Sequence, residues 1–258
     1  MAPNTIYIIT GASRGIGLGL ALAYVARPST TVIGIVRNES SASALLEAMN
    51  QSPRGTNSVL RIAQLDFSMR LTPQTIRERI NMAAGDLNHV NTVICAAGHV
   101  TAIMPTVEMT ADHLRECFEI NTIGPLMVLQ AVRDLLEKGN GATGLPPKFI
   151  VLSSSVGSIG QMEPFPGGAY GPSKAAVNYI AKSIHLQMAQ SGLVSVALHP
   201  GWVQTKMGDF MAKAWNYAGG PPDTLEESVK GIITIVDEAT RVRYSGKFIA
   251  QTGVEIPW

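Results

Sequence analysis

Tyr170 and Lys174 stand four residues apart in a segment with a helical pattern. Residues at this spacing lie on the same helical face, about one turn apart. A free phenol titrates near ~10, and a nearby ammonium group stabilises the phenolate and lowers that pKa. The pair is therefore a candidate for proton transfer, with Tyr170 as the donor and Lys174 as the cation that lowers its pKa. An aromatic core residue and a surface lysine are the alternative when the pair is taken alone.

Three glycines lie between an apolar run at 5–10 and a helical pattern. Gly11 allows a tight turn, Gly15 lets the backbone approach a pyrophosphate, and Gly17 lets the helix pack close to the strand. The N-terminus of that helix offers free N–H groups and the positive end of the helix dipole. The segment predicts a dinucleotide-phosphate site, and an ordinary turn with spare glycines is the alternative.

Arg37 ends the second apolar run, where a fold that prefers NAD usually carries an acid. Arg14 lies within the glycine turn. The guanidinium fork suits a phosphate, which an acid would repel. The two arginines therefore favour NADPH over NADH. A solvated charge at a strand end is the alternative for Arg37, and the neighbouring Glu39 weighs slightly against the phosphate role.

Short apolar runs alternate with helical patterns along the chain. The predicted strands are 5–10, 31–36, 59–65, 90–96, 148–152, 193–198 and 247–250. The predicted helices are 15–26, 41–50, 73–84, 112–138, 170–191 and 224–239. This alternation predicts an α/β fold, a Rossmann-type doubly wound seven-stranded parallel sheet flanked by helices, as a single domain over 1–258. Ligands of such sheets bind at the carboxyl ends of the strands.

Composition excludes several classes of function. The 20 basic and 19 acidic residues leave a net charge of +1, which argues against nucleic acid as the main partner. The N-terminus has no basic region typical of a signal peptide, and no apolar run reaches the ~18–20 residues of a membrane span. We therefore expect a cytosolic protein without a membrane partner.

Cysteine and histidine usage predicts neither a metal site nor disulfides. Cys95 and Cys117 are too few for a disulfide framework and are interpreted as buried free thiols. His113 and His185 have no ligand spacing. His199 ends an apolar strand and is interpreted as a hydrogen-bonded structural residue.

Six motifs in chain order resemble those of the short-chain dehydrogenase/reductase family, nearly from end to end. They are the turn Thr10-Gly11-Ala12-Ser13-Arg14-Gly15-Ile16-Gly17, Leu65-Asp66, Cys95-Ala96-Ala97-Gly98, Asn121-Thr122-Ile123-Gly124, Tyr170-Gly171-Pro172-Ser173-Lys174 and Pro200-Gly201-Trp202-Val203-Gln204-Thr205. The family's Asn-Asn-Ala-Gly is changed at Cys95 and Ala96, which puts the usual side-chain bonds of that strand in doubt.

The resemblance implies a role for each matching residue. The family pattern Ser-Ser-x-x-Gly makes Ser154, in the run Ser153-Ser154-Ser155, the donor to the substrate oxygen, with Ser155 as the alternative. Lys174 would also hold the nicotinamide ribose, Asn121 a water between Lys174 and solvent, and Asp66 the adenine amino group. The implied cofactor-binding set is Gly11, Ser13, Arg14, Gly15, Ile16, Gly17, Arg37, Asp66, Ala97, Gly98, Tyr170, Lys174, Pro200, Val203 and Thr205.

Within the family, the chain resembles the carbonyl-reductase branch that contains sniffer and the fungal norsolorinic acid ketoreductases. Three features carry this: the long loop at 161–168, the segment that follows His199, and the ending Glu255-Ile256-Pro257-Trp258. Substrate segments are expected at about 155–169 and 203–224, the second as a lid. The candidate substrate residues are Phe165, Met207, Phe210 and Trp215. The alternative is that these side chains only anchor the segment or form a subunit contact.

These inferences predict an NADPH-dependent reductase of a ketone, with similarity to the fungal enzymes suggesting a polyketide-type or polycyclic substrate. An alcohol dehydrogenase working oxidatively is the second interpretation. A nucleotide-binding regulator without catalysis is the third. The resemblance also implies dimer or tetramer interfaces on the long helices, which leaves a homodimer or homotetramer open.

Overall fold

The structure, a computed structural model, describes residues 4–258 apart from the side chain of Asn140. Seven strands form one sheet: β1 Thr5–Thr10, β2 Thr30–Val36, β3 Val59–Gln64, β4 Thr92–Cys95, β5 Lys148–Leu152, β6 Val194–His199 and β7 Phe248–Ala250. The helices are α1 Gly15–Val25, α2 Glu39–Asn50, α3 Pro73–Ala84, α4 Ala111–Phe118, α5 Gly124–Thr143, α6 Tyr170–Gln187, α7 Lys206–Ala214 and α8 Leu225–Glu238.

The strand order is β3-β2-β1-β4-β5-β6-β7, and all neighbouring strands pair in parallel. This confirms the predicted seven-stranded doubly wound sheet. The chain winds outward in one direction from β1 to β3 and in the other from β4 to β7. The crevice between β1 and β4 is therefore the switch point where such sheets bind ligands.

Both faces of the sheet are buried by helices, which explains the continuous apolar strands. One hydrophobic cluster joins the sheet to α3, α5 and α6 through residues such as Ile76, Val128 and Val177. The other joins it to α1, α2 and α8 through residues such as Leu20, Leu45 and Ile232. Cys95 and Cys117 are both buried and unpaired, as expected.

The helix predicted at 112–138 is interrupted. A π-helical turn, Glu119–Ile123, separates α4 from α5, and the Gly124 N–H donates to the carbonyl of Glu119, five residues earlier. Pro125 has no N–H to donate to the carbonyl of Asn121, so a regular α-helical bond is impossible there. Apolar periodicity does not report such a turn, although the proline gives the signal.

The segment predicted as a long substrate loop at 203–224 is partly helical. It contains α7, whose N-cap Thr205 accepts a hydrogen bond from the Gly208 N–H. A threonine before an amphipathic pattern is a typical start of a helix. The sequence prediction overlooked this signal at Thr205 and expected a loop.

Candidate active site

The glycine turn packs directly against the end of β4. Gly11 has φ +69°, and a Cβ there would lie 2.8 Å from the backbone N and Cα of Ala97. The Ala97 N–H also donates to Thr10 Oγ1 at 2.9 Å. A Cβ on Gly17 would collide with the Gly11 carbonyl. Gly11 and Gly17 therefore each occupy a position that a side chain would disrupt.

The geometry of this turn fits a dinucleotide. A Cβ on Gly15 would meet only Thr205 Cγ2, at 3.6 Å, so the backbone is open on that side. Arg14 is the N-cap of α1, and its side chain makes no capping hydrogen bond. The helix N-terminus, with Ser13 and Ile16 beside it, is thus free of side-chain caps and can receive a phosphate.

Arg14 and Arg37 are both exposed at the carboxyl end of the sheet. Among the described residues, neither makes an ion pair with a carboxylate. Glu39 accepts a hydrogen bond from Gln64 at 2.6 Å. Asp66, just past β3, uses Oδ1 to accept from the N–H and hydroxyl of Ser68.

Tyr170 begins α6 and is buried, and its phenol has the Ser154 side chain beside it. Burial raises the pKa of the phenol to about 12, and the neighbouring Ser154 hydroxyl opposes that rise. The phenol therefore keeps its proton at neutral pH. Of the three consecutive serines, Ser153 is buried with its hydroxyl unpaired, whereas Ser154 is partly exposed and lies beside Tyr170.

Lys174 lies on the same face of α6 as Tyr170, with Nζ 5.4 Å from the centroid of the phenol ring. Its Nζ donates to the Leu152 carbonyl at 2.7 Å. Burial lowers the pKa of Lys174 to about 8. The expected lowering of the Tyr170 pKa is wrong for this arrangement, because the lysine loses its charge well before the phenol would ionise.

Asn121, in the π-helical turn, clamps the backbone of the loop after β4. Its Oδ1 accepts from the His99 N–H at 2.8 Å, and its Nδ2 donates to the His99 carbonyl at 2.8 Å and to Ser173 Oγ at 2.9 Å. A Cβ on Gly98 would lie 3.8 Å from both Asn121 Oδ1 and Lys174 Nζ. Asn121 Oδ1 and Lys174 Nζ thus both lie near Gly98. Both amide hydrogens of Asn121 are already donated, to His99 and to Ser173.

His199 orients the serine turn. Its Nδ1 accepts a hydrogen bond from the Ser155 N–H at 3.1 Å. Burial lowers the pKa of the imidazole to about 4, so it is neutral at physiological pH. This is the structural role expected for His199.

The loop after β6 contains Pro200, Val203 and Thr205, and it approaches the glycine turn through Thr205. The Ser228 hydroxyl donates to the Pro200 carbonyl at 2.6 Å. Asp223 accepts from the Trp202 N–H at 2.7 Å and was missed by sequence reasoning. No local pattern marks it, since its partner lies 21 positions earlier.

The candidate substrate residues comprise one contacting pair and two separate side chains. Phe165 and Trp215 contact each other, with ring centroids 5.7 Å apart. Met207 points to the catalytic side of the cleft, because its Cε lies 3.9 Å from the position of a Cβ on Gly98. Phe210 is 42% exposed and has no aromatic partner among the described residues.

Two further features concern metals and membranes. Within residues 4–258, no three histidine, cysteine, aspartate or glutamate side chains group as ligands of one metal ion. Across the same residues, each helix is too short or too polar to span a bilayer.

Comparison with known proteins gives one family. The model for short chain dehydrogenases matches residues 5–214. A norsolorinic acid ketoreductase of Dothistroma septosporum is 37% identical, covering 99% of this chain and 93% of that protein. The norsolorinic acid ketoreductase of Aspergillus parasiticus is 32% identical over 99% of this chain and 92% of that protein.

Solved structures show the same architecture. The carbonyl reductase Sniffer of D. melanogaster superposes with a TM-score of 0.81 at 25% identity, covering 99% of this chain and 100% of that one. An NADPH-bound carbonyl reductase from chicken fatty liver gives a TM-score of 0.80 at 26% identity, covering both chains completely.

Proposed function

The chain belongs to the short-chain dehydrogenase family and is an oxidoreductase of that family, and from this premise we propose that it is an NADPH-dependent ketoreductase. One observation carries the proposal most directly. A protonated, buried Tyr170 has the Ser154 side chain beside it and shares a helical face with Lys174, in the cleft beside the glycine turn.

The side chains divide the work of carbonyl reduction. When bound, the nicotinamide cofactor supplies the hydride, and the protein supplies orientation and a proton. Tyr170 donates its phenolic proton to the substrate oxygen. Ser154 donates a hydrogen bond to the same oxygen as negative charge develops on it. The two side chains neighbour each other, which supports their sharing one acceptor.

Lys174 and Asn121 restore the proton. The pKa of Lys174, at about 8, lies near physiological pH, so its ammonium exchanges a proton readily there. Asn121 Oδ1 accepts one hydrogen bond and has a second lone pair, and the oxygen lies on the same side of Gly98 as Lys174 Nζ. A water held there would connect the lysine to solvent.

The dinucleotide would be held by the residues that the turn and the neighbouring strand ends present. Gly11, Ser13, Gly15, Ile16 and Gly17 form the phosphate cradle. The strand ends add Asp66, Ala97, Gly98, Pro200, Val203 and Thr205. Arg14 and Arg37 support NADPH over NADH, because both are exposed and neither is paired with a described carboxylate. Glu39, the acid closest to Arg37 in the sequence, is hydrogen-bonded to Gln64 instead.

The substrate class follows from the relatives and from the cleft. Norsolorinic acid ketoreductases match almost the whole chain, which supports a polyketide-type aromatic ketone as substrate. Phe165 and Trp215 supply flat apolar surface at the expected substrate segments.

The direct test is to follow oxidation of NADPH across a panel of ketones, quinones and aldehydes, with NADH as the control. We expect turnover with NADPH and a carbonyl compound, fastest with a bulky aromatic ketone. Cofactor binding without turnover on any member of the panel would favour a nucleotide-binding regulator instead.

The cofactor preference has its own test in Arg37→Glu. The new acid would repel a 2′-phosphate, so we expect kcat/KM for NADPH to fall by about 10- to 100-fold, since a hydrogen bond to a charged group contributes ~1.5–3 kcal/mol. The kcat/KM for NADH should fall less than threefold, because NADH has no 2′-phosphate to lose a contact. Equal losses with both cofactors would show that Arg37 does not contact the phosphate.

A further inference from the structure

Four aromatic rings form a continuous chain across the two predicted substrate segments. Phe165, in the serine-side loop (residues 161–168), lies 5.7 Å from Trp215 between centroids, with the planes at 31°. Trp215 meets Trp202 edge-on at 5.6 Å, and Trp202 lies 5.0 Å from Tyr217. These separations are in the favourable range for aromatic pairs.

A hydrogen bond reinforces the contact between Phe165 and Trp215. Trp215 Nε1 donates to the Pro166 carbonyl at 3.1 Å. Among the hydrogen bonds of residues 4–258, this is the one that joins the serine-side loop to the segment 206–220. Pro164 and Pro166 have no N–H groups, so the centre of the loop has few donors with which to fix itself.

The ends of the serine-side loop are anchored elsewhere. The Gln161 N–H donates to Ser158 Oγ at 2.9 Å. Gly168, at φ +53°, packs so closely that a Cβ would lie 2.9 Å from the Ala102 carbonyl. Between these anchors Met162 is 71% and Phe165 52% exposed. Trp215 therefore holds the part of the loop that would otherwise be free.

Trp215 itself is fixed to the cofactor side of the cleft. It is the C-cap of α7, and its N–H donates to the carbonyl of the buried Met211 at 3.0 Å. Its ring partner Trp202 donates Nε1 to the Gly208 carbonyl at 3.2 Å. Trp202 belongs to the loop after β6, which approaches the glycine turn through Thr205.

We propose that Trp215 is a positioning residue for substrate specificity, which joins the serine-side loop to α7 so that both form one wall of the substrate cleft. The ligand class that uses such a wall is a ketone with a flat apolar body broad enough to contact both segments at once. A small ketone needs only Tyr170 and Ser154. The inference rests on the proposed ketoreductase function for its kinetic part, and its structural part stands without turnover.

The structural part is tested by the indole N–H signals of the ¹⁵N-labelled protein, which has three tryptophans. Phe165→Leu changes only the loop side of the contact. We expect the Trp215 indole signal to shift and its exchange with water to become about fivefold faster, the equivalent of one hydrogen bond's net contribution of ~1 kcal/mol. The Trp258 signal should stay in place, which also shows that the variant is folded. An unchanged Trp215 signal would overturn the coupling.

The kinetic part compares a bulky aromatic ketone with a small one in Trp215→Phe, Phe165→Leu and the double variant. Trp215→Phe keeps a ring and removes the donor to Pro166. Each single change should raise KM for the bulky ketone about fivefold, by the same energy scale, with less than twofold change in kcat. The double variant should be little worse than either single one, because both changes break one connection.

Lys213→Ala, an exposed change on the same helix, is the matched control and should leave both KM values unchanged. Additive effects of the two single changes, or equal losses with both ketones, would overturn the proposal. Absence of turnover in the unchanged protein would count against the proposed function, and the indole spectra alone would then decide the coupling.

Discussion

At the scale of single residues, burial keeps the proposed acid, Tyr170, protonated. Tyr170 has its pKa raised to about 12, and Lys174 has its pKa lowered to about 8, because both lose hydration in the cleft. A phenol that holds its proton at neutral pH is the form that a general acid requires. Because the pKa of Lys174 is about 8, its charge changes with pH just above neutrality.

His199 gives a residue-scale prediction about acid stability. Its folded pKa is about 4, below the ~6.5 of an unfolded histidine. Between those values the unfolded chain binds more protons than the folded one, so stability rises with pH. The contribution is fully present above about pH 6.5 and is lost as pH falls toward 4. We expect roughly 1–3 kcal/mol of unfolding free energy to disappear over this window.

His199→Asn is the matched variant, since its Oδ1 can still accept from the Ser155 N–H. Urea unfolding at several pH values should show a flatter slope between pH 6.5 and 4 than in the unchanged protein. Parallel slopes for the two proteins would contradict the assignment of a buried, neutral His199.

At the scale of elements, tight turns bring the proposed catalytic and cofactor-binding groups to the carboxyl ends of the strands. The π-helical turn places Asn121 against the loop after β4, and the glycine turn packs on Ala97 at the end of that same strand. Both depend on backbone conformations that apolar periodicity does not encode. A proline and a set of glycines are the local signals.

Gly11→Ala and Gly192→Ala compare two glycines with nearly the same φ. Gly11 has φ +69° and Gly192 has φ +71°, but a Cβ on Gly192 would meet nothing within 4 Å. Both variants carry the left-handed strain of roughly 1–2 kcal/mol. Gly11→Ala should lose a further ~1–3 kcal/mol through its collision with Ala97. Chemical denaturation measures the free energy of unfolding of both variants. Equal losses would mean that the glycine turn accommodates the added methyl group at position 11 without further cost.

At the scale of the whole molecule, the sheet is buried on both faces, and this explains how much of the fold could be predicted from the sequence. Strands buried on both faces are continuous apolar runs, so sheet type and strand positions followed from the sequence to within a few residues. Motif order placed Tyr170, Lys174 and the glycine turn correctly at strand and helix ends. The contacts of Asp223 and Trp215 join residues 21 and 49 positions apart, and only the folded chain reveals them.

The pKa values of Tyr170 and Lys174 also depend on the folded chain and could not be predicted from local sequence. Spacing on a helix predicted that Lys174 would lower the pKa of Tyr170, yet the burial of both groups dominates in the folded protein. Burial of an individual side chain depends on every element packed around it. Local sequence carries little of that information.

The central claim is that Tyr170 delivers the proton for carbonyl reduction, and Tyr170→Phe tests it most directly. With the best ketone from the panel, the rate of NADPH oxidation at saturating substrate should fall by about 10²- to 10⁴-fold, the usual contribution of a general acid. The Kd for NADPH should change little, because the ring stays in place. Turnover equal to that of the unchanged protein would contradict the account.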